Sequence, residues 1–221
     1  MNLTLFDLDH TLLPIDSDYS WGEFSLKMGW VDPELFKAKN DQFFADYQAG
    51  VLDIHDYVKF ATEAVRLKGP ELAAKAHQQF MQQVVLPVIK PSALNLIKQH
   101  QDAGDHVMVV TATNEFVTRP IAAALGIQEL IAVELAKDSK GWITGEILGT
   151  PSFKAGKVAR VEAWLSAHQK SWQDVHITFY SDSLNDLPLL EKAQTPVATN
   201  PDARLRQLAT DRGWRILELF T

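Results

Sequence analysis

The sequence lacks several features that would place it in particular protein classes. It contains no cysteine, which excludes disulfide bonds, thiolate metal ligands and a cysteine nucleophile. No apolar run approaches the roughly 18 residues that a membrane-spanning helix requires. The N-terminal residues run straight into an apolar segment, without the basic region and cleavage site of a secretory signal. We therefore expect a cytoplasmic protein with no membrane partner.

Positive charge is also scarce. The 28 Asp and Glu residues outnumber the 21 Lys and Arg residues, and the formal net charge is −7. The basic residues are scattered, so nucleic acid is not an expected partner. An anionic small substrate would need local positive charge from a metal ion or a few placed cations. With 46% hydrophobic residues in 221, the chain is long enough for one large domain, or for one domain that carries a smaller one.

Short apolar segments alternate with helical patterns over most of the chain. Apolar runs predict strands at the N-terminus and at residues 106–111, 130–135, 175–180, 196–199 and 215–219. Helical spacing predicts helices at residues 92–101, 115–125, 154–168 and 201–211. This alternation predicts an α/β fold with a Rossmann-like, mostly parallel sheet flanked by helices. Turn signals in residues 134–148 predict a hairpin that projects from the sheet.

A helical block separates the first predicted strand from the second. Between residues 19 and 85, apolar side chains recur at three- and four-residue spacing. Pro33 and Pro70 fit the first position of helices. Proline-bearing stretches border the block at residues 12–18 and 86–91, and they suggest a pair of hinges.

These borders predict two structural units. Residues 1–14 and 89–221 would form a core domain, and residues 15–88 would form a helical domain inserted after the first strand. The alternative is that the helices pack on the sheet as a single body. The sequence does not decide between a monomer and a homodimer.

Four short polar segments lie where predicted strands or loops meet helices. They are Asp7-Leu8-Asp9-His10-Thr11, Thr111-Ala112-Thr113-Asn114, Lys157, and Tyr180-Ser181-Asp182-Ser183-Leu184-Asn185-Asp186. Each has an ordinary explanation by itself, such as an Asx turn, a helix cap or a solvated lysine. Because α/β sheets bind ligands at the carboxyl ends of their strands, the four segments together favour a metal-binding or phosphate-handling site.

In this order the segments resemble the motifs of the haloacid dehalogenase superfamily, specifically its phosphoserine-phosphatase-like branch. The resemblance covers the core segments over nearly the whole chain, and the helical block takes the place of that branch's C1-type cap. It implies a phosphatase that hydrolyses a small phosphate monoester, of the phosphoserine or histidinol phosphate type, through an aspartyl-phosphate. By motif match, Asp7 is the nucleophile and Asp9 is the general acid and base. Thr111 and Lys157 are the groups that hold the phosphoryl oxygens.

The resemblance also implies Mg²⁺ as the cofactor. The family's metal ligands are matched by the carboxylates of Asp7 and Asp182 and by the backbone carbonyl of Asp9. Asp186 would be a further ligand or hold metal-bound waters. Hard oxygen ligands of this kind suit Mg²⁺. Ser181 departs from the family, since the last motif usually has glycine there.

The substrate side of the site is less fully matched. In the resembling phosphatases an acidic residue near Asp16 and Asp18 reads the substrate's ammonium group, although both residues could instead cap the first helix of the block. Arg66 is the only arginine in the block, and it is no clear counterpart of the arginine that reads a substrate carboxylate. An amino-alcohol phosphate such as histidinol phosphate is therefore favoured slightly over phosphoserine. The remaining expected substrate-binding residues are Thr113, Asn114 and Asn185.

Two other functions share parts of this pattern. A phosphomutase or phosphotransferase of the same superfamily would pass the phosphoryl group to a second hydroxyl rather than to water. A receiver-like signalling domain also has an acidic pocket with a phosphorylated Asp, a Thr and a Lys, but the helical block and Asp9 oppose it.

The seven histidines, His10 among them, show no metal-ligand spacing, and the Trp and Phe residues of the block are expected to form its core.

Overall fold

A parallel six-stranded sheet lies at the centre of the protein. The computed structural model describes residues 1–220, so Thr221, the last residue of the expected core domain, lies outside the described residues. The strands are β1 (Asn2–Phe6), β2 (His106–Asn114), β3 (Glu129–Val133), β4 (Leu135–Lys137), β5 (Ile143–Ile147), β6 (His176–Ser181), β7 (Thr195–Thr199) and β8 (Arg215–Leu217). The sheet has the strand order β3-β2-β1-β6-β7-β8, and each neighbouring pair is parallel. The predicted α/β fold is confirmed.

The position of β1 explains why the polar motifs converge. Phe6, the last residue of β1, pairs with Val109 on one side and with Tyr180 on the other. Because the strands are parallel, the segments that follow β1, β2 and β6 leave the sheet at one edge. Apolar side chains bury both faces of the sheet in two clusters.

Helices cover the sheet and form the inserted block. They are α1 (Ser17–Lys27), α2 (Pro33–Ala49), α3 (Ile54–Lys68), α4 (Pro70–Phe80), α5 (Pro91–Asp102), α6 (Glu115–Ala124), α7 (Ala155–Ala167), α8 (Leu187–Leu190) and α9 (Ala203–Asp211). We call α1–α4 the cap helices. The predicted helix starts are confirmed, because α2 begins at Pro33 and α4 begins at Pro70. Proline suits this position because the first turn of a helix does not use its backbone N–H groups. No helix within residues 1–220 is long and apolar enough to span a bilayer.

The cap helices share a hydrophobic cluster with the rest of the protein. Trp21 of α1 is 1% exposed and packs against Phe80 of α4 and Phe116 of α6. The predicted hairpin is present as antiparallel β4 and β5, and it lies against α3 through an ion pair of 3.3 Å between Lys59 and Glu146. The cap helices therefore pack on the core, and the division into two units stays a prediction.

Several predicted boundaries were wrong. The strand predicted at residues 106–111 continues to Asn114, and the helix predicted at residues 201–211 begins at Ala203. Residues 130–135 do not form one strand, because β3 ends at Val133 and Leu135 begins the hairpin. The last strand ends at Leu217 rather than at residue 219, where the Leu219 amide turns to donate to the Asn200 side chain at 2.6 Å. The chain that returns from the cap helices to the core is helical, with a π-helical turn at Met81–Val85 and a 3₁₀ turn at Leu86–Val88.

Candidate active site

Asp7 lies directly beyond the end of β1, at the centre of the sheet edge. Its amide donates to the Tyr180 carbonyl at 2.9 Å, which continues the pairing with β6 by one residue. Its side chain is buried and accepts a hydrogen bond of 2.8 Å from Lys157 Nζ. Burial raises the pKa of Asp7, and the Lys157 ammonium opposes that rise. The carboxylate is therefore fixed by the strand at one end and by a cation at the other.

Lys157 bridges two buried carboxylates. Its ammonium donates to Asp7 Oδ1 at 2.8 Å and to Asp186 Oδ2 at 2.7 Å, and the residue is 1% exposed. Burial alone would lower the pKa of Lys157, but Asp186 and Asp7 outweigh it and raise that pKa above the usual value. The lysine is therefore a permanent buried cation beside Asp7, rather than the solvated lysine of the alternative explanation.

Ser181 has a specific partner at the position where the family usually has glycine. Its hydroxyl donates to Asp186 Oδ2 at 2.8 Å and accepts from the Ser183 amide at 3.2 Å. Burial raises the pKa of Asp186 to about 6, although Lys157 works against it. Asp186 is thus held by two side-chain donors behind Asp7.

Asp9 is bound from both the cap and the core. Its Oδ1 accepts from the amide of Ser17, the first residue of α1, at 2.7 Å, and its Oδ2 accepts from the Thr113 hydroxyl at 2.9 Å. Burial and the charge of Asp16 raise the pKa of Asp9 to about 6. An Asp with this pKa can hold and release a proton near neutral pH, as a general acid and base must.

Thr11 is a site residue that the sequence reasoning did not single out. Its hydroxyl donates to Asp182 Oδ1 at 3.2 Å and accepts from the Asp182 amide at 3.1 Å, and the residue is fully buried. It therefore fixes the Asp182 carboxylate relative to β1. The threonine of the Asp-x-Asp-x-Thr motif was the available signal, since a hydroxyl at a strand end can orient a neighbouring loop.

The acidic residues fit a divalent cation through their charge. Burial, followed by the nearby charges of Asp7 and Asp186, raises the pKa of Asp182 well above its usual range, although the charge of Lys157 opposes the rise. Within residues 1–220, no three His, Asp or Glu side chains are grouped as a ready-made metal cage. Mg²⁺ is usually held by one or two carboxylates and several waters, so Asp7, Asp182 and the Asp9 carbonyl suit it in number and in chemistry.

A cavity separates these groups from the cap helices. The expected site residues that line it are Asp7, Asp9, Asp16, Asp18, Thr111, Thr113 and Asp182. Thr111 is buried in β2, three residues before the strand ends, and its hydroxyl accepts from the Thr113 amide at 3.1 Å. Asn114 and Asn185 do not line the cavity. The side-chain amide of Asn114 donates to Asp18, and the side-chain amide of Asn185 donates to the carbonyl of Tyr47 in α2.

Asp16 and Asp18 differ in their surroundings. Asp16 caps α1 by accepting from the Tyr19 amide at 2.8 Å. Asp18 does not cap; its Oδ1 accepts from Asn114 at 3.2 Å, while its Oδ2 is buried without a hydrogen-bond partner. The Tyr57 hydroxyl lies close enough to this carboxyl to lower its pKa, although Oδ2 has no partner within hydrogen-bond geometry. Burial, followed by the charge of Asp16, raises the pKa of Asp18 to about 7.

The cap side of the cavity is largely aromatic. Phe43, Phe44 and Tyr47 of α2 line it with Tyr57 of α3, together with the polar Asn40, whose Nδ2 is buried and unpaired. Phe43 and Phe44 were expected in the interior of the block, and they line the cavity instead. The interruption of the apolar stripe of α2 by Asn40, at helical spacing from Phe43 and Tyr47, was a signal for a ligand-facing surface.

No lysine or arginine occurs among the described residues that line this cavity. Arg66 lies elsewhere, with its guanidinium donating to the Lys59 carbonyl at 3.1 Å and packing on Gly145 of the hairpin. The trio of Asp9, Asp16 and Asp18 therefore faces the aromatic wall without a basic side chain to balance it.

Comparisons with known proteins relate the chain to one family of enzymes. The family model of haloacid dehalogenase-like hydrolases matches residues 4–191. A histidinol-phosphatase of Neisseria meningitidis serogroup C (strain 8013) is 42% identical over 217 residues, which cover 98% of each chain. A solved protein of unknown function from Bordetella pertussis Tohama I is 43% identical and superposes with a TM-score of 0.93 over 99% of each chain.

A substrate-bound phosphoserine phosphatase structure shares the fold. It superposes with a TM-score of 0.69 at 18% identity and covers 98% of this chain and 92% of its own. The match of the family model and the alignment with the Neisseria protein both span the strand ends that carry Asp7 and Asp9. The chain therefore belongs to the haloacid dehalogenase-like hydrolase family of enzymes.

Proposed function

We propose that this protein is a Mg²⁺-dependent phosphomonoesterase and that its substrate is an amino-alcohol phosphate, namely histidinol phosphate. The observation that carries the choice of substrate is the buried Oδ2 of Asp18, which has no hydrogen-bond partner, in a cavity whose described lining contains no lysine or arginine. A buried carboxylate oxygen without a partner costs free energy, which a substrate ammonium group would recover. The 42% identity to a histidinol-phosphatase supports the same choice.

Asp7 would attack the phosphorus atom in line with the leaving alkoxide. A bond forms between a carboxylate oxygen and phosphorus, the bond from phosphorus to the substrate oxygen breaks, and the proton of Asp9 goes to that oxygen. Asp9 then takes a proton from the water that hydrolyses the aspartyl-phosphate. The pKa of about 6 that burial gives Asp9 supports both proton transfers.

The groups that surround Asp7 would stabilise the phosphoryl charge. Lys157 does not line the cavity but lies 2.8 Å from Asp7 Oδ1, and Thr111 lines the cavity with Asp7, so both would meet phosphoryl oxygens there. Asp7, Asp182 and the Asp9 carbonyl would hold Mg²⁺, which supplies charge neutralisation at the phosphate. Asp186 would position Lys157, since one of its oxygens accepts hydrogen bonds from Lys157 and Ser181.

The cap side of the cavity suits an imidazole better than a carboxylate. Phosphoserine would bring a carboxylate toward Asp9, Asp16 and Asp18 with no lysine or arginine to receive it among the described lining residues. Histidinol phosphate lacks that carboxylate, and its ring offers a flat face to Phe43 and Tyr57. Aromatic pairs of this kind contribute about 0.5–1.5 kcal/mol beyond the area that they bury.

The enclosure of Asp7 distinguishes this proposal from a receiver-like domain. The cap helices cover the carboxylate, and Asp9 stands two residues away with a pKa suited to proton transfer.

A phosphomutase or phosphotransferase would differ in its product. It would transfer the phosphoryl group to a second alcohol, so a phosphorylated product would form in place of inorganic phosphate.

The proposal is tested by comparing substrates under one condition. With MgCl₂ present, kcat/KM is measured for histidinol phosphate, O-phosphoserine and glycerol 3-phosphate from the release of inorganic phosphate. We expect histidinol phosphate to exceed both others by at least about tenfold, the scale of one charge-assisted hydrogen bond. Equal values for the three substrates, or full activity in excess chelator, would contradict the substrate or the metal assignment, respectively.

A further inference from the structure

Three core side chains hold the C-terminal end of cap helix α2. Each donates to a different backbone carbonyl of the helix end: Asn185 Nδ2 to Tyr47 O at 2.8 Å, Arg204 to Gln48 O at 2.6 Å, and Lys154 Nζ to Gly50 O. The donors come from three separate segments, namely the turn after β6, α9 and the residue before α7. The end of a single cap helix is thus bound by three loops and helices of the core.

The backbone that follows α2 supplies donors to only part of the helix end. The Asp46 and Tyr47 carbonyls accept from the Val51 and Gly50 amides at 2.9 and 3.0 Å, while the Gln48 and Gly50 carbonyls accept from the core side chains. The last carbonyls of a helix have no intrahelical partner and carry partial negative charge. The last turn of α2 contains no basic residue, and Gly50 ends the helix in the left-handed conformation with a φ of +73°. Lys154 and Arg204 therefore supply from the core the positive charge that a helix C-terminus favours.

Lys154 makes this contact from an unusual backbone conformation. Its φ is +51° and its ψ is −123°, a region that residues with a side chain rarely occupy. Two residues later, a Cβ on Gly156 would lie 2.0 Å from the Pro151 carbonyl oxygen, so this segment is tightly constrained. Glycine would relieve the strain at position 154, but it would also remove the ammonium that binds Gly50.

Two of the three donors are neighbours of catalytic residues in the chain. Lys154 lies one helical turn before Lys157, and Asn185 precedes Asp186 in the acidic motif. On the other side, α2 carries Phe43, Phe44 and Tyr47, which line the cavity above Asp7. The position of this aromatic wall relative to the nucleophile therefore depends on the end of α2.

We propose that Lys154 and Arg204 are positioning residues that seat α2 over the active site. They act through α2 on the body of the substrate, not on its phosphate group. The seating is a property of the fold, while its effect on histidinol phosphate rests on the proposed function. Removing the two cations should therefore weaken recognition of a large substrate and spare a phosphate compound too small to reach the aromatic wall.

The test uses the full chain with Lys154→Met, Arg204→Met and the double variant. Lys170→Met is the matched control, because Lys170 is an exposed lysine in the turn between α7 and β6, at the opposite edge of the sheet. Amide hydrogen exchange is measured for residues 44–52, and kcat and KM are measured with Mg²⁺ for histidinol phosphate and acetyl phosphate. Lys154→Arg keeps the charge and should restore wild-type values.

In the double variant we expect exchange of residues 44–52 to accelerate about five- to tenfold, the scale of two cations at a helix terminus. The KM for histidinol phosphate should rise by a similar factor, while both constants for acetyl phosphate stay within about twofold of wild type. Unchanged exchange would overturn the seating, and an equal loss on both substrates would overturn the positioning role.

Failure of the proposed function has a different signature. In that case the wild-type enzyme would show no preference for histidinol phosphate, yet the exchange of residues 44–52 would still respond to the two substitutions. The Arg204 side chain is 52% exposed, so Arg204→Met leaves the core intact and gives the same exchange measurement if the double variant is poorly folded.

Discussion

The Asn114 side chain donates a hydrogen bond of 3.2 Å to Asp18 Oδ1, and through it the N-cap of α6 holds the first turn of α1. This contact fixes one oxygen of Asp18 and leaves the other buried and unpaired in the cap. A carboxylate kept in this state weakens the empty protein, and it is retained where a ligand completes it. Substitution of Asp18 should therefore weaken substrate binding while it stabilises the folded protein.

Asp18→Asn should lower kcat/KM for histidinol phosphate by at least about tenfold, because the amide cannot form a charge-assisted hydrogen bond with the ammonium group. The activity toward acetyl phosphate, which has no amine, should change less than about twofold. Asp32→Asn is the control, since Asp32 is an exposed aspartate that caps α2 away from the cavity. An equal loss on both substrates would show that Asp18 supports the fold and does not read the amine.

The same variant should be more stable than wild type at alkaline pH. The pKa of Asp18 is near 4 in the unfolded chain and about 7 in the folded protein, because burial disfavours the charged form. The stability that neutral Asp18 contributes is therefore complete below pH 4 and is lost as the pH rises through 7. Asp18→Asn removes that loss, so its Tm should exceed that of wild type at pH 8 and match it at pH 4. A lower Tm at pH 8 would contradict the assignment.

Asp7→Asn should abolish turnover, because an amide is neither a nucleophile nor an anionic metal ligand. Asp182→Asn should weaken Mg²⁺ binding as well as turnover. Calorimetric titration of Mg²⁺ and phosphate release measure the two effects separately, and Asp174→Asn is a control at an exposed carboxylate outside the site. Unaltered Mg²⁺ affinity in Asp182→Asn would remove Asp182 from the metal ligands.

Lys157→Met should lower kcat by about 10²-fold, the scale observed when a positioned transition-state donor is removed. It should also destabilise the protein by about 3–5 kcal/mol, since Asp7 and Asp186 would lose the cation that they share. The destabilisation should be greater at pH 8 than at pH 5, where the two buried carboxyl groups can take up protons. Thermal unfolding at both pH values checks this order, and near-wild-type turnover would show that another cation holds the phosphate.

The sequence was sufficient for the sheet and the strand-end motifs because both are local signals. Apolar runs of five or six residues predict buried strands, and a parallel sheet brings the ends of β1, β2 and β6 together without further information. Asp7, Asp9, Thr111 and Asp182 line one cavity for this reason. The metal ligands, the substrate, the cytoplasmic location and the choice between monomer and homodimer remain predictions.

The cap contacts could not be predicted because they depend on how two distant segments pack. Asn185 was expected at the substrate from its motif, yet its amide donates to Tyr47, 138 residues away in the chain. The partner of Lys154 on α2 has no sequence signature, since it is a backbone carbonyl. The aromatic residues of α2 have the spacing of a buried helix face, and that spacing does not distinguish a packed core from the wall of a cavity.

Thr11→Val should impair the site through Asp182 without touching the substrate. Valine matches threonine in shape but removes both hydrogen bonds to Asp182, so the carboxylate loses its link to β1. We expect Mg²⁺ affinity and kcat each to fall about tenfold, the scale on which partners of metal ligands act, and Thr11→Ser to restore most of both. Mg²⁺ titration and phosphate release check this, with Thr144→Val as a control at an exposed threonine of the hairpin. Loss of stability in Thr11→Val with unchanged Mg²⁺ affinity would make Thr11 a residue of the core alone.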